Sequence, residues 1–151
     1  PDVTESEEEK GWLLEGAVPD PARPPEGCRF HTRCPVVTPA CGWEVDDIVR
    51  SLEGRGAGLE ELEGISRRSP FHAELTFAHE AAAEGLVRAL GGPLTKDAMR
   101  EAIVSLERRD AVVEVRFREV DPVPLEEVRP GHVTSCILHT SRRADLGDRA
   151  P

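Results

Sequence analysis

Four cysteines are the residues of this sequence whose types and positions suggest chemistry. Cys28, Cys34 and Cys41 lie in one short proline-rich stretch with His31 between the first two, and Cys136 follows far downstream. An even number of cysteines permits two disulfides, whereas cysteine thiolates also bind metals and buried thiols often do neither. Residue type alone therefore leaves three alternatives open: disulfides, a metal site, or inert thiols.

The spacing of the cysteines bears on these alternatives. No secretory signal is visible, and the reducing interior of a cell disfavours structural disulfides. Structural zinc favours ligand pairs two to four residues apart, so the wider spacings here make zinc the weaker metal candidate. An iron–sulfur cluster accepts wider spacing, and Cys34 is followed by proline, as in some cluster loops. We expect His31 to be an exposed loop histidine rather than a ligand.

Composition limits the class of protein. The chain has 151 residues, enough for one domain, but only 38% are apolar and 13 are prolines. Part of it should therefore be extended around a small core. A net charge of −10 argues against nucleic acid as a partner. No apolar run is long enough to span a membrane, and because the first residue is Pro1 we expect a fragment of a longer protein.

Motifs for catalysis are not found in the sequence. There is no G-x-x-x-x-G-K-[ST] or G-x-G-x-x-G loop, no H-E-x-x-H helix and no G-x-S-x-G elbow. We therefore predict that this chain has no catalytic residues and is not itself an enzyme.

Changes in composition and apolar periodicity along the chain predict five segments. These are an acidic linker at 1–10, a proline-rich cysteine ribbon at 11–41, an α+β unit at 42–125, a closing segment with the fourth cysteine at 126–140, and a disordered tail at 141–151. Prolines at 19, 21, 24 and 25 fix φ and bias the residues before them to extended conformations, so the ribbon should not be helical.

The α+β unit contains the periodic patterns that should position the cysteines. Apolar spacing predicts helices at 45–52, 80–90 and 96–109, the last with Thr95 as its N-cap. Alternation predicts strands at 72–78 and 111–120, and the glycine-rich stretch 55–70 should be a loop. A third strand is expected at 132–138, and no internal repeat is visible. The predicted fold class is α+β, with a small two- or three-stranded sheet and about three helices.

Two stretches of the sequence resemble the C-terminal tail of the ATP-binding subunits of oligopeptide and dipeptide ABC importers. The resemblance covers residues 13–41 and 130–139. The ribbon pattern G-x-V-P-x-P is matched by Gly16, Val18, Pro19 and Pro21. The pattern P-P-x-G-C-x-F-H-x-R-C-P is matched by Pro24, Pro25, Gly27, Cys28, Phe30, His31, Arg33, Cys34 and Pro35, and the closing pattern by Gly131, His132, Cys136 and Leu138.

This resemblance implies an accessory domain of a peptide-importer ATPase. The domain would be cytoplasmic and peripheral to the inner face of the cell membrane. Its partners would be the parent ATPase domain, the partner ATPase subunit and, indirectly, the membrane permease subunits. In such proteins four cysteines can hold a [4Fe–4S] cluster of structural or regulatory role. The corresponding metal ligands would be Cys28, Cys34, Cys41 and Cys136.

One departure from the family pattern bears on this site. The family has a short spacer between the third and fourth cysteines, whereas residues 42–135 intervene here. Chain entropy permits such an insertion, because closure cost rises only logarithmically with loop length. The alternative function is an interaction module without a metal, in which the α+β unit forms a homodimer through a sheet edge or senses a ligand.

Overall fold

The described part of the chain is an α+β structure, which confirms the predicted fold class. The computed structural model describes residue 16 and residues 18–149, with the backbone alone for 145 and 147–149. The predicted linker 1–10 and the first residues of the ribbon lie outside the described residues. The helices are α1 Val45–Leu52, α2 Glu80–Gly91 and α3 Asp97–Ala102. The strands are β1 Leu62–Ser69, β2 His72–Phe77, β3 Ile103–Arg109, β4 Val112–Phe117, β5 Glu126–Arg129 and β6 His132–Thr134.

The core lies between one face of an antiparallel sheet and the helices. The sheet has the strand order β1–β2–β4–β3. Strict alternation in the two central strands buries one face, as the sequence predicts. That face packs against α2, whose Leu86 and Leu90 are fully buried, and against Ile48 and Leu52 of α1. The buried strand residues are Ala73, Leu75, Phe77, Val113, Val115 and Phe117.

The sheet has two more strands than the central pair that the alternating patterns predict. The glycine-rich loop expected at 55–70 contains β1, and the helix expected at 96–109 ends at Ala102 and continues as β3. Both are edge strands with an irregular register, at Leu62/Gly64 and at Ile103/Ser105. A bulge shifts the inward-facing positions and breaks the two-residue period that would reveal a strand. Thr95 is not the N-cap of α3, because that position belongs to Lys96.

The structure also contains a repeat that is not visible in the sequence. The hairpins β1–β2 and β3–β4 have corresponding registers, with Leu62 opposite Phe77 in one and Ile103 opposite Phe117 in the other. The inner strands of the two hairpins meet at Glu74 and Glu114, which are cross-strand partners. The repeat therefore lies mainly in strand pairing and apolar spacing, and a few equivalent positions, such as Glu74 and Glu114, have the same residue.

The closing segment differs from the predicted third strand. Only His132–Thr134 is extended, and it pairs with β5 in a separate two-stranded sheet rather than with the main sheet. After Ser135 the chain turns, because the carbonyl of Cys136 accepts the N–H groups of His139 and Thr140. The backbone groups of this turn bond to one another and are therefore not available to form a strand of the main sheet.

The tail also differs from the expectation of disorder. The structure places Ser141–Arg149 in a 3-10 helix. Ser141 donates from both its backbone and its hydroxyl to the Glu126 carboxylate, and Arg142 donates to the carbonyl of Asp121. The tail has few apolar residues to bury, so these hydrogen bonds, rather than apolar packing, attach it to the rest of the domain.

The cysteine ribbon lies across the start of the α+β unit at two facing glycines. A Cβ on Gly27 would lie 2.3 Å from the carbonyl oxygen of Cys41 and 2.7 Å from Cα of Gly42. Gly42 has a φ of +93°, a left-handed conformation that glycine adopts without steric cost. The backbones are close enough for the Cys28 N–H to donate to the Cys41 carbonyl, at 2.8 Å. This crossing brings the first and third cysteines together.

We predict that Gly27→Ala destabilises the protein. The added methyl group must push the ribbon away from Cys41, at a cost of about 2 kcal/mol, as for other overpacked sites. Chemical denaturation measures the loss. The matched control is Gly64→Ala, since a Cβ on Gly64 meets nothing within 4 Å. Equal stability of the two variants would contradict the close crossing.

Candidate functional site: the cysteine neighbourhood

A tight turn presents the first two cysteines. The N–H of His31 donates to the Cys28 carbonyl at 3.2 Å, and the N–H of Cys34 donates to the His31 carbonyl at 3.4 Å. Cys28 and Cys34 are both half-buried and stand at the two ends of this turn. The five-residue gap between them is therefore a compact loop.

Cys41 is held by a second short element, the 3-10 helix Pro39–Cys41. Its sulfur lies 3.3 Å from the hydroxyl of Thr38 and 3.4 Å from the backbone nitrogen of the same residue. The carbonyl of Thr38 accepts the indole N–H of Trp43 at 3.2 Å, and Trp43 is buried in the main core. The position of the third thiol is thus tied to the core of the α+β unit.

The chain returns to these cysteines after residues 42–135. Ile137, which is only 1% exposed, packs in a small cluster with Ala40 and Cys41. Cys28 and Leu138 border the same cluster. The residue next to Cys136 is therefore packed against the ribbon, and the fourth cysteine enters the neighbourhood of the other three.

Negative charge on neighbouring cysteines disfavours the ionisation of Cys28 and Cys41, which raises their pKa values. Burial raises the pKa of the Cys28 thiol most strongly, against a lowering hydrogen bond from the backbone of Phe30, and negative charge on the other three cysteines raises it further. Burial likewise raises the pKa of Cys41, its hydrogen bonds with Thr38 lower it, and charge on Cys34 and Cys136 raises it. Like charges gathered at one site favour protonation or a bound cation.

The arrangement of the four cysteines shows neither a disulfide nor a formed metal site among the described residues. All four cysteines are free thiols. Among the residues that the structure describes, no three His, Cys, Asp or Glu side chains are grouped closely enough to hold a metal ion. The four-cysteine metal site stays a prediction.

His31 is buried, not exposed as the sequence led us to expect. Its ring has no exposed surface and meets the Trp43 ring edge-on, with centroids 4.9 Å apart. Nδ1 donates to the Cys28 carbonyl at 2.6 Å, since a carbonyl only accepts, and Nε2 lies 2.8 Å from Oδ2 of Asp47. Asp47 thus satisfies a polar ring that burial would otherwise penalise. Asp47 lies 16 positions downstream of His31, so the local sequence around the histidine does not reveal that the two side chains pair.

Asp47 is the residue that sequence reasoning missed. It lies in the first turn of α1 and is 1% exposed. Oδ2 accepts the Glu44 N–H at 2.9 Å in addition to contacting His31, while Oδ1 lies 3.8 Å from the Arg50 guanidinium. In the sequence, an acidic residue in a first helical turn indicates only the start of a helix. Asp46 and Asp47 both fit that pattern, and only the contact with buried His31 distinguishes Asp47.

Two further contacts join the ribbon to the α+β unit. Lys96, at the N-cap of α3, donates from Nζ to the Thr32 carbonyl at 2.8 Å. The carboxylate of Glu44 accepts the backbone N–H of Glu26 at 2.6 Å. Burial is the main cause that raises the pKa of Glu44, and this hydrogen bond opposes the rise. The cysteine turn is thus fastened to residues next to two helix starts.

We predict that Asp47→Ala costs about 3 kcal/mol, because it leaves a buried histidine without its partner. The matched control is Asp46→Ala, which removes only partly exposed ion pairs with Arg50 and Arg67 and should cost under about 1 kcal/mol. Denaturation measures both losses. Hydrogen exchange should show residues 28–34 opening in the Asp47 variant, and protection equal to that of the control would refute this role.

We also predict a pH effect from Glu44. Its raised pKa means that the folded state holds the proton more tightly than the unfolded chain does, so the contribution of Glu44 to stability is greatest below the ordinary glutamate pKa and is lost as pH rises through the folded value. Glu44→Gln keeps an acceptor for Glu26 and removes the titration. Urea denaturation should show the variant gaining stability relative to the wild type across that window. Parallel pH profiles would contradict this assignment.

Comparisons with known proteins agree with the ribbon pattern. Residues 1–41 match the family model described as the oligopeptide/dipeptide transporter C-terminal region. The match ends at Cys41, so the resemblance of residues 130–139 stays a prediction. No solved structure matches the chain at a significant level.

Curated relatives share a short stretch with this chain. A probable peptide ABC transporter ATP-binding protein of Sinorhizobium fredii is 50% identical over 42 residues, which are 28% of this chain and 12% of that protein. The oligopeptide transport ATP-binding protein AppF of Bacillus subtilis is 51% identical over 35 residues, 23% of this chain and 11% of its own length. The di/tripeptide transport ATP-binding protein DppF of Pseudomonas aeruginosa is 42% identical over 50 residues, 33% and 15% of the two lengths.

The chain therefore spans 11–15% of the length of these relatives. The helices of the described part include none that is long and apolar enough to cross a membrane. Over residues 1–41, the chain is similar to the oligopeptide/dipeptide transporter C-terminal region.

Proposed function

We propose that this chain is the accessory C-terminal domain of the ATP-binding subunit of an oligopeptide or dipeptide ABC importer. The observation that carries the proposal is the family match of residues 1–41, which contains three of the four cysteines. The relatives are named as ATP-binding proteins of peptide transport. The domain would sit in the cytoplasm at the inner face of the membrane, against the parent ATPase domain, with the partner ATPase subunit and the permease subunits nearby.

The finer part of the proposal is a [4Fe–4S] cluster on Cys28, Cys34, Cys41 and Cys136. Its support is the return of the chain at Ile137, which brings the fourth cysteine into the electrostatic range of Cys28 and Cys41. A cluster has separate iron corners, so its ligands need not converge on one point as the ligands of a single zinc ion do. Iron would also offset the mutual repulsion of the thiolates.

The role proposed for this site is structural or regulatory. The cysteines join two segments, the ribbon and the closing segment, that flank the α+β unit. Besides the contacts of the ribbon with the α+β unit, these segments share the small cluster around Ile137. Metal binding to such a region supplies folding free energy, because the unfolded chain has no preformed site. Residues Asp47 and Lys96 would hold the cysteine turn in place for the cluster.

The test is anaerobic purification of the 151-residue chain with analysis of iron and acid-labile sulfide. We expect the broad visible absorbance of an iron–sulfur cluster, lost in Cys34→Ser and in Cys136→Ser. The matched control is Ser135→Ala, which removes a hydroxyl next to Cys136 whose partner is the Val123 carbonyl. Full stoichiometric zinc without iron would refute the cluster and leave the family assignment standing.

A second candidate function is an interaction module that forms a homodimer. Among the described residues, the outer edges of β1 and β3 pair with no further strand. Val104, at the irregular start of β3, is an exposed large apolar residue. Open edges of a sheet invite pairing with another chain. This candidate does not need a metal.

Light scattering on the 151-residue chain tests dimerisation. If the β3 edge pairs two copies, the wild type should have the mass of a dimer and Val104→Lys that of a monomer, since a lysine blocks an edge. The control is Val133→Lys on β6, which is also an exposed valine and lies in the other sheet. A monomeric wild type at every concentration would rule the dimer out.

A further inference from the structure

An open cleft lies between the β5–β6 hairpin and the segment that follows Cys136. Its volume is about 650 Å³, within the range of small-molecule sites. The hairpin wall is tied to the opposite wall by the bonds from Ser141 to the Glu126 carboxylate. Within the hairpin, Glu127 accepts the N–H of Gly131 at 2.7 Å. The two walls are therefore held in a defined relation.

Four of the nine residues that line this cleft are arginine or histidine, in a chain whose net charge is −10. Arg129 and His132 come from the hairpin, and His139 and Arg143 come from the opposite wall. No aspartate or glutamate is among the described lining residues. Neither arginine forms an ion pair with a described carboxylate, although Arg143 donates to the Leu138 carbonyl at 3.3 Å. The cleft thus concentrates positive charge without an internal counterion.

Thr140, one of the residues that line the cleft, has a buried hydroxyl. The residue is only 6% exposed. Within the part of the chain that the structure describes, its Oγ1 has no hydrogen-bond partner. Buried polar groups are nearly always bonded, to protein or to water, and each exception calls for an explanation. A ligand that accepts hydrogen bonds at the cleft would offer partners to both this hydroxyl and the arginines.

We propose that this cleft binds a small molecule that carries a phosphate or pyrophosphate group. Arginine guanidinium groups match phosphate oxygens in a two-pronged geometry, and a phosphate offers enough acceptor oxygens for two arginines, the histidines and a hydroxyl. The site uses none of the cysteines, so it is independent of the metal proposal. The closing segment would then bind a ligand in addition to packing against the ribbon through Ile137.

Calorimetric titration of the 151-residue chain with pyrophosphate tests the site. We expect binding at low ionic strength, weakened at least tenfold in Arg129→Ala and in Arg143→Ala, as for the loss of one charge-assisted hydrogen bond. The matched control is Arg88→Ala, an exposed arginine on α2 of the main core, which should bind as the wild type does. Equal weakening in the control, or none in the cleft variants, would overturn the proposal.

Thr140→Val separates binding from folding. Valine keeps the shape and removes a hydroxyl that bonds nothing in the free protein, so denaturation should show no loss of stability. Pyrophosphate affinity should nevertheless fall by roughly tenfold. A variant that loses stability and keeps its affinity would show that Thr140 has a structural role only, and would overturn its part in the site.

The source of the phosphate is resolved by a second arm with vesicles. Sedimentation with phosphatidylglycerol vesicles, against neutral phosphatidylcholine vesicles, reports a lipid headgroup. Binding to anionic vesicles that is lost in Arg129→Ala supports the site with a lipid as the source, and pyrophosphate binding without vesicle binding supports a soluble ligand. If the protein binds neither pyrophosphate nor anionic vesicles, the proposal is overturned.

Discussion

The buried contact between His31 and Asp47 is the interaction on which the cysteine neighbourhood depends. Both side chains are almost fully removed from solvent, so each needs the other to meet its hydrogen-bonding capacity. Each also has a second duty, since His31 holds the Cys28 carbonyl and Asp47 accepts the Glu44 N–H. One contact therefore sets the position of the cysteine turn and the start of α1 together.

This contact also explains how the ribbon and the α+β unit are joined. The ribbon that matches the transporter family ends at Cys41, and α1 begins at Val45. Because His31 contacts Asp47 of α1, the ribbon packs on the unit and does not merely precede it. The chain then leaves β4 and comes back at Ile137, beside Cys41. A unit whose two ends lie close together strains the site little, since closure entropy grows slowly with loop length.

The elements that the sequence predicted well are those with a complete local pattern. Strands β2 and β4 alternate without interruption, and α2 is rich in alanine and ends at a glycine pair. The elements missed were β1 and β3, where bulges break the alternation and one side faces solvent. In β3 the same apolar residues also fit a helical stripe, and sheet pairing with β4 decides between the two. Pairing partners lie too far away in sequence for local propensity to register them.

The sequence by itself determined the similarity of the ribbon to the transporter family, the α+β class and the positions of the four cysteines, because these depend on residue types and short-range spacing. Only the tertiary structure decided that His31 is buried against Asp47, that Gly27 crosses Gly42, and that the buried hydroxyl of Thr140 has no hydrogen-bond partner among the described residues. The physical reason is common to all three. Burial and hydrogen-bond satisfaction depend on which distant segments meet, and packing, not local periodicity, decides which segments do.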